Sequence, residues 1–460
     1  MASTVRRRCV APLLGAAALL FGLAPTSKVS RADEKIILKV AKSSDFVPVT
    51  PEAGKAWWDE MKKQFEAEHP NVEVQYISIP GSYADLENKM SLLFRSRSTA
   101  PDVAEISNLD IGPWVASGYF LKLNDYVAKS AWWADFPGSV KAETTLGGDV
   151  YAVSHGENTM ALFYDFQILA KAGIQTPWQP KTWDDLLAAA RKIKATSPKV
   201  WPLWVSTGTA QGVFGVETGP GVLLLGSSDP MIFDTATKKW VVDSVGIRQV
   251  IDFYKKASSE GLLAPSSQLL AATAIATPPV EMAKGNIGLT LGGNWFSDQW
   301  TKTLCAPCWA DASKHIGLAN FPTRDGQSPD VASTLGGWDL AIYAKTKHPD
   351  LAWQFIDLTQ RKENMLACDI EGGWVPPVKS LASDPEFANF APPYRELFAK
   401  LLIHSVGIPS DPNYPIWAMG MLQATEAAVL NPNISTDDAV QKLVDYVTNQ
   451  LGSDEVEKRK

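Results

Sequence analysis

Cysteine and histidine are scarce, four and five residues in a chain of 460. A disulfide scaffold is therefore excluded, and a metal centre has few soft ligands to draw on. No G-x-x-x-x-G-K-[ST] loop, G-x-S-x-G elbow or H-E-x-x-H pair occurs, which removes the enzyme classes easiest to read from sequence. Repeats, low-complexity tracts and basic clusters are absent too, and 50 acidic residues outnumber 43 basic ones. An acidic chain without a basic patch is poorly suited to nucleic acid or anionic lipid surfaces. The one markedly apolar run, Ala11 to Leu23, is shorter than the roughly 20 residues a bilayer span needs.

That run has the layout of an export signal. Arg6, Arg7 and Arg8 precede it, and Ser30-Arg31-Ala32 sets small residues at the −3 and −1 positions of a cleavage site before Asp33. Residues 1–32 are expected to be a signal peptide that sends the mature chain to the periplasm, by ordinary secretion in preference to a twin-arginine route. Cys9 lies ahead of the apolar run, so nothing supports a lipid anchor. Removing this leader takes away five basic side chains and no acid, and moves the formal charge from −7 to −12. Cys305, Cys308 and Cys368 remain. "CAPC" reads as a structural or incidental pair: Pro307 and Trp309 do not suit a redox motif opening a helix, and only His315 is near enough to extend a zinc set. No metal and no cofactor is expected.

Strand and helix patterns alternate from the mature start, which predicts an α/β architecture. "KIILKVAKS" reads as a first strand, followed by a helix with Trp58, Met61 and Phe65 on one stripe. "VEVQYISI" alternates with period two, a helix runs through Leu86, Met90 and Leu93, and "PDVAEIS" supplies a third strand. A second α/β region begins near Val150. There Thr182 is placed to cap "WDDLLAAARKIKA", acidic in its first turn and basic in its last, and a further helix carries Ile247, Val250, Ile251 and Tyr254. "DLAIYAK" then meets a helix opened by Pro349, with Leu351, Phe355 and Leu358 inward. From Pro377 the chain reads as helical with proline turns.

Tryptophan is plentiful, 17 residues, and several sit in turn-like settings. Trp295 follows "GGN", Trp338 follows "LGG", Trp374 lies between "EGG" and "VPP", and Trp417 sits in "YPIWAMG". Bare backbone beside an indole would leave a flat apolar face open to a ligand. A pyranose ring fits such a face, provided polar side chains surround its hydroxyls. Buried packing is the competing account of any single tryptophan, and it is the expected one for Trp57, Trp58, Trp183 and Trp353, which lie in helical patterns.

The mature chain resembles the extracellular solute-binding proteins of the maltose-binding type, the ligand-capturing components of bacterial ABC sugar importers. The resemblance is carried by "APDVAEISNLDIGPWVASGYFLKLNDYV", by "VYAVSHGENTMALFYDFQILAKAGIQTPWQPKTWDDLLAAARKI", by "MAKGNIGLTLGGNW", and by "GGWDLAIYAKTKHPDLAWQFIDLTQ" with "GGWVPPVKS". Two positions depart from the family pattern. Asp165 stands where Asn is common, and Trp338 stands where a small residue is common, which narrows the cleft against a long linear oligosaccharide.

The resemblance implies a two-lobe periplasmic binding protein fold of type II, with a multi-crossing hinge and the ligand cleft between the lobes. Residues 33–150 and 336–376 would form lobe 1, and residues 151–335 and 377–460 lobe 2. Carried over position by position, it assigns sugar contacts to Asp45, Asn108, Asp110, Glu157 and Asn158, and stacking to Trp295 and Trp417. Tyr83, Trp338 and Trp374 join the set from their context. Removing Trp295 is expected to weaken binding while leaving the stability of the unliganded protein nearly unchanged. The function implied is capture of a mono- to short oligosaccharide by hinge closure and delivery to the membrane permease subunits of an ABC importer, by a monomer that is not an enzyme and inserts in no membrane. An anionic polyol, phosphorylated or sulfonated, is the alternative ligand, favoured if Arg324 or Arg361 faces the cleft. An exported glycosidase using Glu157 and Asp110 as its carboxyl pair is the remote alternative.

Overall fold

The computed structural model describes residues 35–43, 55–80, 83–301, 308–390 and 393–459. Asp45 lies outside them, as do Cys305 and the segment 1–32, and of Tyr83 only the backbone is described. The principal elements are β1 (Ile36–Ser43), α1 (Lys55–Glu68), β2 (Val72–Ile79), α2 (Tyr83–Phe94), β3 (Val103–Ser107), α3 (Ile111–Ala116), β4 (Ala152–Asp165), α4 (Trp183–Thr196), β5 (Trp201–Trp204), α5 (Val245–Ser259), β6 (Ile287–Gly293), β7 (Ile316–Ala319), β8 (Thr334–Ile342), α6 (Pro349–Thr359), α7 (Lys362–Gly372), α8 (Tyr394–Leu401), α9 (Tyr414–Leu430) and α10 (Thr436–Leu451). No helix among the described residues is long and apolar enough to cross a membrane.

The local chemistry of these elements follows their sequence. In α1 the stripe Trp58, Met61 and Phe65 is buried together with Trp57, and Phe65 meets Phe355 of α6 edge to face, their centroids 5.4 Å apart. Thr182 caps α4 through a capping box with Asp185, which satisfies donors that the first helical turn leaves open. Asp165, the departure from the family pattern, accepts from the Ile168 backbone N–H at 2.8 Å and caps the helix that follows, a role Asn would fill as well. In α6, Phe355 and Leu358 are buried while Leu351 is only half covered.

The strands order as β2-β1-β3-β8-β4-β6-β5, with β7 also pairing β4. β1 runs parallel to β2 and β3, whereas β8 is antiparallel to both β3 and β4. The long strand β4 is buried along its whole length, as expected for a strand covered on both faces. It serves two sections of sheet. From Ala152 to Thr159 it pairs with β8, and from Met160 to Asp165 it pairs with β6 and β7. Helices α5, α9 and α10 pack together, and α6 and α7 pack on α1 beside the first section.

Candidate functional site

Where β4 passes from one section to the other, several chain segments meet. In the β8 register Gly336 faces Asn158, Gly337 faces Glu157 and Trp338 faces Gly156, while on its other side Trp338 faces Ser107 at the end of β3. The Ser107 hydroxyl accepts from the Leu109 N–H and so starts the turn that carries Asn108 and Asp110. Asn108 Oδ1 accepts from the Gly337 N–H at 3.3 Å, and its Nδ2 donates to Glu143 Oε1 at 3.4 Å. Glu157 exchanges two backbone hydrogen bonds of 2.8 Å with Val375, which seats the 373–375 loop against β4. Asn294, just past β6, ties both: Oδ1 accepts from the Thr159 N–H at 3.1 Å and Nδ2 donates to the Gly373 carbonyl at 2.7 Å. Asn108, Asp110, Glu157, Asn158, Trp338 and Trp374 therefore come together, with Trp295 adjoining through Asn294.

The tryptophans divide. Trp374 is half-buried, with its ring centroid 6.3 Å from that of Trp338, and it lies so close over Gly156 that a Cβ there would come within 2.5 Å of Trp374 Cγ. Trp295 is only 7% exposed and packs against Phe214 and Phe296. A Cβ on Gly293 would fall 1.8 Å from its Cζ3. The glycine thus makes room for the ring itself and does not hold its face open, so the expectation that Trp295 could be removed at little cost to stability is corrected: loss of a ring packed this way costs about 3–5 kcal/mol. Trp417 is corrected outright. It is 0% exposed, stacks on Tyr414, and donates its indole N–H to the Val241 carbonyl at 2.7 Å. Both its face and its donor are consumed by the interior beside α9.

Acidic side chains dominate the junction, several of them unanticipated. Glu143, Glu157, Glu217 and Asp339 are all buried. Burial pushes Glu217 and Asp339 each up to about 8. It also raises Glu143 and Glu157 well above the usual carboxylate range, reinforced by the negative charge of their neighbours. Among the described residues, no basic side chain is a main influence on any of the four. The bare backbone of β8 admits them: a Cβ on Gly336 would lie 1.7 Å from Glu217 Oε1, and one on Gly337 would lie 2.7 Å from Glu157 Oε2. Asp110 shares a hydrogen bond with Glu87 of α2, whose carboxyl is also raised by burial. Glu157 Oε2, Asn158 Oδ1, Asp339 Oδ2 and Tyr414 Oη, all buried, have no hydrogen-bond partner among the described residues. Sequence reasoning passed over Glu87, Glu143, Glu217, Asp339 and Tyr414. A signal existed for two of them, since Asp339 in "GGWDLAIY" and Glu217 in "VFGVETGP" are lone acids in apolar or glycine-rich runs.

Arg324 pairs with Asp325 and Arg361 with Glu68, so neither is committed to these carboxyls. Among the described residues, no group of three or more His, Cys, Asp or Glu side chains could hold a metal ion. Cys308 is disulfide-bonded and Cys368 is a buried free thiol.

Residues 48–365 match the profile of the bacterial extracellular solute-binding protein family. A probable ABC transporter-binding protein of Deinococcus radiodurans is 22% identical over 347 residues, 74% of this chain and 78% of that one. An sn-glycerol-3-phosphate-binding periplasmic protein of Brucella abortus is 25% identical over 173 residues, 33% of this chain and 40% of that one. Among solved structures, the GacH receptor of Streptomyces glaucescens, studied unliganded and with acarbose, superposes with a TM-score of 0.73 at 20% identity, covering 91% of this chain and 99% of that one.

Proposed function

The chain belongs to the bacterial extracellular solute-binding proteins, the binding components of ABC transporters, and on that premise we propose that it captures a sugar, from a monosaccharide to a short oligosaccharide, and passes it to a membrane permease. Residues 1–32 act as the export signal, and the mature chain works as a monomer in the periplasm. Residues 33–150 and 336–376 form one lobe and residues 151–335 and 377–460 the other. β4, the approach to β8 and the 373–375 loop serve as the crossings between them. Closure about these crossings brings the polar groups of one lobe onto a solute held by the other, and only contacts peculiar to the closed form favour it.

The observation that carries this reading is a pair of buried acceptor atoms with no hydrogen-bond partner among the described residues, Glu157 Oε2 and Asn158 Oδ1, on the strand that bonds to the Trp374 loop. Buried polar atoms normally have partners, and the hydroxyls of a sugar supply donors while an indole covers its C–H faces. The half-buried Trp374 is the plate to test. Trp374→Ala is expected to weaken sugar binding at least tenfold by calorimetry, about 1.4 kcal/mol, once thermal-shift screening has found a ligand. Unchanged affinity would reject the stacking role. An anionic polyol, as the Brucella relative binds, finds less support here, because acids line the junction and Arg324 and Arg361 are paired elsewhere.

A further inference from the structure

Trp374 is placed by what lies behind it. A Cβ on Gly372 would fall 2.2 Å from its Nε1, and one on Gly156 would fall 2.5 Å from its Cγ, so the ring is set between the bare end of α7 and the bare backbone of β4. Its own N–H donates to the Asp369 carbonyl at 3.1 Å, and Gly373 between them takes a left-handed turn with φ of 76°. Where α7 ends therefore decides where the indole points.

Arg395, the second residue of α8, reaches that end. Its Nη1 donates to the Asp369 carbonyl at 2.9 Å, and its Nη2 to the Ile370 carbonyl at 3.3 Å and to Asp298 Oδ1 at 3.1 Å. The last carbonyls of a helix have no partner within it, and a cation there suits the macrodipole. Both carboxyl oxygens of the buried Asp369 lack a hydrogen-bond partner among the described residues, so the guanidinium is directed to the backbone of α7 and not to that acid. Its plane is steadied by Phe387 and Phe390, whose ring centroids lie 5.1 and 4.6 Å from its Cζ. Asp298 stands four residues beyond Asn294, which holds the Gly373 carbonyl, so the turn after β6 grips the Trp374 loop twice, once directly and once through Arg395. Arg395 and Asp298 are 3% and 2% exposed. A pair buried this deeply gives little net stability over apolar residues of the same size; what it supplies here is a fixed geometry.

We propose that Arg395, oriented by Asp298, is a positioning residue for the Trp374 plate: it fixes the end of α7 against the turn after β6 and so holds the indole over Gly156. The inference rests on the capture reading above for its purpose, since there Trp374 covers a sugar face. Lysine would keep the charge but not the planar fork that reaches three acceptors on two elements.

The test is fluorine NMR of the mature, unliganded protein labelled with 5-fluorotryptophan, the Trp374 line being assigned by its loss in Trp374→Phe. Arg395→Lys should move or broaden the Trp374 line more than that of any other tryptophan. Hydrogen exchange at the Trp374 and Val375 amides should quicken about tenfold while the middle of β8 keeps its rate, the mark of local and not global loosening. Asp298→Asn, which keeps the shape of the side chain, should do the same to a smaller degree and serves by itself if Arg395→Lys does not fold. A Trp374 line that stays in place, or exchange that rises equally across the sheet, overturns the positioning role and leaves sugar capture standing, because neither readout uses a sugar. Capture fails separately, on unchanged sugar affinity in Trp374→Ala.

Discussion

At the scale of single residues, the sharpest expectation concerns proton linkage at Glu217. Its carboxyl has an ordinary value of 4.5 and rises by burial to about 8 in the folded chain. Between those two values the unfolded chain has lost the proton and the folded chain keeps it, so stability falls as pH rises. The contribution is fully present below 4.5 and gone above about 8; Asp339 acts in the same direction from 3.8 to about 8. Glu217→Gln removes the titration. The melting temperature of that variant, minus that of the wild type, should therefore grow steadily from pH 5 to pH 8 in unliganded protein. A difference flat across that range would show that Glu217 ionises normally. Trp417 makes a second expectation. With its ring stacked on Tyr414 and its N–H held by Val241, Trp417→Ala should cost about 3–5 kcal/mol in chemical denaturation, and ligand affinity measured well below the melting range should stay within about threefold. A tenfold loss of affinity with unchanged stability would restore it as a binding plate. Sequence did not separate Trp417 from Trp374, because both are flanked by proline or glycine. What separates them is which way each element turns its ring, and that is fixed by partners that only the fold brings together.

At the scale of elements, Asn294 joins β6, β4 and the 373–375 loop with two hydrogen bonds, to the Thr159 N–H and the Gly373 carbonyl. Both partners are backbone groups at a buried place, so Asn294→Ala leaves a donor and an acceptor unpaired, at about 1–3 kcal/mol each. The variant should melt earlier, and amide exchange at Thr159 should accelerate more than in the middle of β8. Unaltered exchange at Thr159 would mean that the asparagine is not what holds the junction. Elements of this kind were well signposted. Thr182 announced its helix by cap and charge, and the period-two run in β2 announced a strand. The long strand β4 was harder: "AVSHGENTMALFYD" mixes His, Glu and Asn with apolar residues because it crosses from one section of sheet to the other, where polar groups are used instead of hidden. Its polar middle is what propensity alone reads as loop, and it is where Glu157 and Asn158 lie.

At the scale of the whole molecule, the alternation of strands and helices with the family-like segments was enough to anticipate the α/β periplasmic binding fold. The acid-rich lining was not legible, since Glu143, Glu157, Glu217 and Asp339 are spread over almost 200 residues and meet only when β8 inserts between β3 and β4. If capture works by closure, the same contacts that bind the solute must pay for holding the lobes together. Ligand at a hundred times its dissociation constant adds about 2.7 kcal/mol to folding stability, whether or not the protein moves. Compaction is the separate signature, so solution X-ray scattering should show a smaller radius of gyration with ligand than without. The rates carry the rest of the argument. Trp374 sits on the loop bonded to β4, and loss of a contact completed only in the closed form shows mainly as faster release, the association rate changing little. Trp374→Ala should accordingly raise the dissociation rate about tenfold and reduce the ligand-induced compaction. A variant that binds weakly through slow association, yet compacts fully, would place Trp374 at solute entry and leave closure to other groups.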